Sequence, residues 1–238
     1  MSIADKLSII AENEQKVYEA GKKSQYDEFW DSFQDYGNRT DYRYAFRLWN
    51  DAILKPKHKV TTNILYEIFY QATNLTTVNS EWFEVLETNN NCYSAFNRCS
   101  DLEIIDVDIF VTTGAPASAF QTTFTYCSKL RKIKKIKTVA TAGYTNCFIG
   151  CSALEEVIFD GEIGQGNLDL SPCKLLNKPS IESVVNCLST TTSTLTVKLS
   201  IDAVKKAFET SEGANDGDAS EEWNTLANTK ENWTISLV

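Results

Sequence analysis

The chain has 238 residues, 42% of them hydrophobic, enough to bury a sizeable core as one elongated domain or two small ones. A formal net charge of −9 argues against wholesale nucleic-acid binding, and no stretch reaches the ~18 apolar residues of a membrane span. Met1 leads into Ser2-Ile3-Ala4-Asp5-Lys6 without a basic leader or an apolar core, so the expected product is soluble, either cytosolic or released without the general secretory route.

Residues 1–36 read as helix. Ile3, Leu7, Ile10, Glu14 and Val17 follow alternating steps of four and three, with Ala4, Ala11, Lys16 and Glu19 as helix formers around them. The seam Ile3, Leu7, Ile10 and Val17 is narrow and suits a short coiled coil, with a homotrimer as one outcome, or a helix lying against the first coil of a neighbouring unit. Gly21 interrupts or ends it, and Tyr26, Phe29, Trp30 and Phe33 mark a second helical run. From Tyr36 to Lys59 the chain is aromatic and basic without a period, including Trp49 and Lys55-Pro56-Lys57-His58-Lys59. A linker packing its rings on the next unit explains this segment better than a glycan or nucleic-acid patch does.

The middle of the chain repeats one phrase, F-x-x-C-S-x-L-x-x-I/V, at Phe96, Phe124 and Phe148, with spacings of 28 and 24 residues. A degenerate copy starts at Phe69, where Ala72-Thr73 replaces Cys-Ser. Repeats of this length predict a solenoid in which each unit buries one face against its neighbours. Leu65/Phe69/Ala72, Cys92/Phe96/Cys99, Phe120/Phe124/Cys127 and Tyr144/Phe148/Cys151 have helical spacing, and Leu102/Ile105, Leu130/Ile133 and Leu154/Val157 then lead into β-branched residues. Each unit therefore reads as one helical turn plus one short strand. The seven cysteines are odd in number and contain no C-x-x-C pair, so core packing is preferred to a disulfide or a metal.

Lys129, Arg131, Lys132, Lys134, Lys135 and Lys137 alternate with Leu130, Ile133 and Ile136, which puts six cations on one strand of an acidic protein. These six are the candidate ligand-binding residues, for an anionic polymer such as teichoic acid or an acidic patch of a neighbouring subunit. Solvated lysines that guard against unwanted strand pairing are the commoner explanation.

After Pro172-Cys173, Ser180 is read as the cap of a helix Ile181–Leu188, followed by a strand with Leu195, Val197 and Leu199 inward. Ser200 then caps a helix Ile201–Glu209 with Val204, Ala207 and Phe208 on one face. Ser220 caps Glu221–Lys230, and a last strand turns Trp233, Ile235 and Leu237 inward. These elements are expected to close the open end of the solenoid. The acids between Glu209 and Glu222 do not fit a calcium-loop pattern and read as a flexible loop.

Nothing nominates an active site. His58 is the one histidine, and Gly161-Glu162-Ile163-Gly164-Gln165-Gly166 lacks the Gly-Lys-Ser/Thr of a phosphate loop. The expectation is a non-enzymatic protein without cofactor or metal.

The repeated phrase, over about residues 61–175, resembles the BspA-like class of leucine-rich repeat, found in surface and phage-borne proteins of host-associated bacteria. Its uneven repeat length and lysine-crowded strand depart from that class. Ile3-Ala4-Asp5-Lys6-Leu7, Ala11 to Gly21 and Gly37-Asn38-Arg39-Thr40 resemble the opening of prophage structural proteins of gut Firmicutes. Glu222-Trp223-x-x-Leu226 and Asn232 to Val238 resemble their endings.

These resemblances imply a leucine-rich-repeat-like α/β solenoid with short helix and short parallel strand in each coil. The expected layout is an N-terminal helical anchor and linker at 1–60, the solenoid at 61–175 and a C-terminal α/β cap at 176–238. The implied function is that of a fibre or head or tail decoration in a phage particle. Its partners would be other virion proteins or host cell-surface glycan or protein. The alternative is a BspA-like adhesin or protein-interaction module at the bacterial cell surface.

Overall fold

The computed structural model describes residues 65–80, 86–88, 91–111, 114–190, 194–208 and 220–238. The expected N-terminal seam of Ile3, Leu7, Ile10 and Val17, the segment holding His58 and most of the acidic loop lie outside the described residues.

The repeats form a parallel β-solenoid of about four turns. Its strands are β1 (Thr77–Val78), β2 (Leu86–Thr88), β3 (Ile104–Val111), β4 (Lys132–Thr138) and β5 (Glu156–Gly161). They pair in the order β1-β3-β4-β5, with β2 also on β3, and every pairing is parallel. Register places Ile105, Ile133 and Val157 side by side, then Ile109, Ile136 and Phe159, so the inward column is apolar in successive coils. One extra residue on β3 against β4, and one on β4 against β5, forms a bulge in each strand.

The repeated phenylalanines stand one above another. Ring centroids are 5.0 Å apart for Phe69 and Phe96, 5.7 Å for Phe96 and Phe124, and 5.5 Å for Phe124 and Phe148, all stacked. Each such contact adds about 0.5–1.5 kcal/mol beyond the area it buries. The cysteine of each phrase lies fully buried and binds back one coil. The thiols of Cys99, Cys127 and Cys151 donate to the carbonyls of Phe69, Phe96 and Phe124, each at 3.0 Å. A small apolar side chain with one weak donor thus adds a second hydrogen bond to a carbonyl that already accepts from the backbone N–H three residues on.

The segment preceding each strand is not the short helix that its apolar spacing predicts. Left-handed residues recur every fourth position: Glu67 and Gln71, Ser94 and Arg98, Thr122 and Tyr126, Asn146 and Gly150, with φ from 50° to 78°. A right-handed helix has no place for them, and in a non-glycine residue the conformation costs roughly 1–2 kcal/mol. Alternate N–H groups serve two directions. Those of Ala95, Asn97 and Cys99 bond three residues back to Cys92, Ser94 and Phe96, while those of Ser94, Phe96 and Arg98 bond across to Gln121, Thr123 and Thr125 of the next coil. The unit is a chain of tight turns stitched to its neighbour. A four-residue turn repeat puts side chains inward at nearly the helical period, which is why the spacing misleads.

A fifth, shorter phrase succeeds the four, Leu170-x-x-Cys173-x-x-Leu176, with all three residues buried. One hydrogen-bond ladder runs through all five, from Glu103 N–H to Thr76 O, Arg131 to Glu103, Glu155 to Arg131 and Asn177 to Glu155. Beyond this phrase the two sides of the solenoid change character. On the strand side, helix α1 (Lys178–Cys187) takes the place of a further strand. Its N-cap is Asn177, which accepts from Ser180 N–H with Pro179 in the first turn, and not Ser180 as propensity suggests. Ser180 is buried and turned to another use: its hydroxyl accepts from Val157 N–H at 3.0 Å, and that of Ser183 accepts from Phe159 N–H at 3.1 Å. The free edge of β5 is thus closed by hydroxyls on a helix.

On the turn side Asn167 performs the same service, its carbonyl oxygen accepting from Tyr144 N–H at 2.8 Å and its amide donating to Thr145 Oγ1 at 2.8 Å. There a second parallel sheet begins, β6 (Asp169–Leu170), β7 (Leu195–Leu199) and β8 (Trp233–Leu237) in that order. Helices α2 (Ile201–Phe208) and α3 (Glu221–Ala227) pack by Phe208 on Trp223, at 5.3 Å between rings, and Ser220 caps α3 as expected. Val197, Leu199 and Trp233 point inward as expected, Ile235 is half-buried, and Leu237 is exposed instead of inward.

Candidate functional site

Two outward faces present side chains in register. The first lies on the outer side of the five-stranded sheet. Of the six cations singled out, Lys132, Lys134, Lys135 and Lys137 lie on β4, while Lys129 and Arg131 precede its first residue. Their inward neighbours Leu130, Ile133 and Ile136 are fully buried, so the alternation expected from the sequence is present.

Flanking carboxylates meet five of the six. Toward the preceding coil, Lys129 meets Asp101 at 2.7 Å, Arg131 meets Glu103 at 3.3 Å and Lys137 meets Asp108 at 3.1 Å. Toward the next coil, Lys132 meets Glu156 at 3.0 Å and Lys135 meets Asp160 at 3.5 Å. Lys134 is exposed and has no such partner among the described residues. The basic strip is therefore bordered by an acidic strip on each side, a pattern that only the lateral stacking of coils creates. Each pair is solvent-accessible and adds little to stability, so the arrangement acts mainly on which charged partner can approach. The hydrogen bond from Lys129 to Asp101, and the charge of that carboxylate, raise the lysine's pKa.

The second face lies on the turn side, and sequence reasoning misses it because the inward spacing of the segment imitates a helix. Tyr66 and Tyr93 stack at 5.0 Å, and the guanidinium of Arg98 lies over the ring of Tyr126 at 5.5 Å. Beneath this face the buried hydroxyl of Ser94 shares a hydrogen bond of 2.7 Å with that of Thr122. These residues occupy equivalent places in successive coils, and that alignment of the repeats is the signal available in the sequence.

The interior holds the thiols. All seven cysteines are free, and Cys92, Cys99, Cys127, Cys147, Cys151 and Cys173 are buried. Burial pushes the pKa of Cys151 up to about 12 and raises that of the others, so the neutral thiol is the form present. Among the described residues no group of three or more His, Cys, Asp or Glu side chains could hold a metal. Because folding raises these pKa values, the thiols' contribution to stability is fully present below the ordinary thiol pKa and is lost as pH climbs toward the folded value. The urea midpoint is therefore expected to hold from about pH 6 to 8 and then fall, each ionising thiol taking up to about 1.4 kcal/mol per pH unit. A midpoint unchanged at about pH 10.5 would contradict the burial of these groups.

No protein-family model, curated protein or solved structure matches this chain.

Proposed function

We propose that this chain is a non-enzymatic structural protein of a phage or prophage, a fibre or a head or tail decoration, whose BspA-like leucine-rich repeats bind protein or host-surface glycan. The observation that carries this reading is the register of the coils. A motif that recurs with the same stacked Phe and the same buried Cys devotes its interior to rigidity and leaves two periodic outer faces for recognition. Basic and acidic strips side by side suit a partner surface with the complementary alternation, such as another virion subunit. The N-terminal seam of Ile3, Leu7, Ile10 and Val17 supplies assembly, and the particle is the place of action. Light scattering on the full chain and on a chain lacking residues 1–24 tests this: a trimer that becomes monomer on deletion is the expected result. A monomer in both forms favours an adhesion module working alone.

A further inference from the structure

We infer that the outer edge of β8 pairs antiparallel with the β8 of a second copy of this chain, about a two-fold axis at Ser236. This goes beyond the proposed function and uses neither the N-terminal seam nor the lysine strip.

In a parallel ladder every other residue turns both its N–H and its carbonyl to the same neighbour. On β8 the even-numbered residues face β7: Val238 N–H donates to Leu199 O at 3.0 Å, Val238 O accepts from Ile201 N–H at 3.0 Å and Asn232 O accepts from Leu195 N–H at 3.1 Å. Trp233, Ile235 and Leu237 therefore face away from the sheet. The N–H of Trp233 donates to Lys230 O at 2.9 Å. Among the described residues no strand lies beyond β8, and no hydrogen bond reaches the N–H or the carbonyl of Ile235 and Leu237. The edge of β5 is different, since hydroxyls of Ser180 and Ser183 cover it.

Open edges are commonly guarded by lysine, proline or a bulge. Here there is none. Residues 233–238 hold no charge, proline or glycine in a chain that is 23% charged, the pairing with β7 runs without a register shift, and Trp233, Thr234, Ile235 and Val238 favour strands. Exposed apolar side chains gather at the same corner: Leu237, Val238 and, bonded to Val238, Ile201.

The edge is complementary to itself. With Ser236 on the axis, Ile235 of each protomer stands opposite Leu237 of the other and exchanges both main-chain bonds with it, so about four hydrogen bonds satisfy these N–H and carbonyl groups. Half-buried Ile235 and exposed Leu237 then cover each other. On the opposite face Ser236 meets Ser236 and Thr234 meets Val238, with no like charges opposed. Lys198, beside Ser236 in the register, is held by Asp169 at 3.4 Å. A second copy matches this order of side chains at each position, and a two-fold pairing stops at two copies, joining two three-stranded sheets into one.

The test is the mass of the full chain by light scattering, compared at one concentration with variants checked by circular dichroism. Ser236→Glu places a carboxylate beside Lys198 within each protomer, which the fold accepts, but sets two carboxylates against each other across the axis. Ser236→Lys opposes two ammonium groups in the same way. Expected is at least twice the mass for the native chain as for either variant, and recovery of the native mass when the two variants are mixed in equal amounts. Ser236→Cys is expected to cross-link two copies under mild oxidation, where the native chain does not, because facing residues of a non-hydrogen-bonded pair lie about 4.5 Å apart at Cα, within disulfide range. A native dimer against variant monomers supports this interface and removes the trimer reading. Trimers of equal mass in native and variant chains overturn the inference and leave the proposed function standing. Association that persists in both charge variants overturns it in favour of another surface, and so does failure of Ser236→Cys to cross-link.

Discussion

Replacing Phe124 by alanine is expected to lower the unfolding free energy by about 3–5 kcal/mol, the largest effect of any single change in the repeats. The ring is fully buried and stacks on Phe96 at 5.7 Å and on Phe148 at 5.5 Å. Its removal opens a cavity between two coils that cannot close, because their backbones are tied at Phe124 N–H to Cys147 O and at Phe96 N–H to Thr123 O. The Cys151 thiol also loses the shape of the ledge it binds, since its acceptor is the Phe124 carbonyl. Phe124→Leu refills much of the volume and is expected to cost less than the alanine variant. Chemical denaturation monitored by circular dichroism measures both, and a loss below about 1 kcal/mol for Phe124→Ala would show that the stacked rings do not carry the solenoid. In a double-mutant cycle, Phe96→Ala and Phe124→Ala should be non-additive by about 0.5–1.5 kcal/mol.

The second large effect is expected at the closed end of the sheet. In Ser180→Ala with Ser183→Ala, the N–H groups of Val157 and Phe159 lose their acceptors, and each buried orphan costs about 1–3 kcal/mol. The consequence goes beyond stability. A strand edge with unpaired donors pairs readily with another chain, so light scattering at rising protein concentration should show association that the native protein lacks. Ser183→Thr retains a hydroxyl at the outer of the two sites and should behave closer to the native protein. A double variant that stays as stable and as dispersed as the native protein would mean that the helix covers the edge by bulk alone.

How far the repeats can be read depends on which contacts are local. The phrase recurs in the sequence, so the stacking of Phe96, Phe124 and Phe148 and the burial of Cys99, Cys127 and Cys151 follow from it directly. The secondary structure of the turn segment does not. Its inward spacing fits a helix, and what excludes the helix is the left-handed backbone at positions such as Arg98 and Tyr126, where no glycine advertises it. The fifth phrase at Leu170, Cys173 and Leu176 escapes the pattern because leucine stands where the other copies have phenylalanine. Propensity alone gives the cap of α1 to Ser180, whereas Asn177 lies one turn earlier and the strand edge claims the serine.

Periodicity and capping are written along the chain, so the repeat, its inward residues, the inward side of β4 and β7 and the cap at Ser220 were all legible in the amino acids alone. Folding in three dimensions was needed to bring Lys129, Arg131, Lys132, Lys135 and Lys137 against carboxylates of adjoining coils, to end the sheet on hydroxyls of a helix, and to set one ring face of Tyr126 beside a glycine. These partners are more than 20 residues apart in the chain and meet because adjacent coils stack at the spacing of neighbouring strands, about 4.8 Å, which no local pattern encodes.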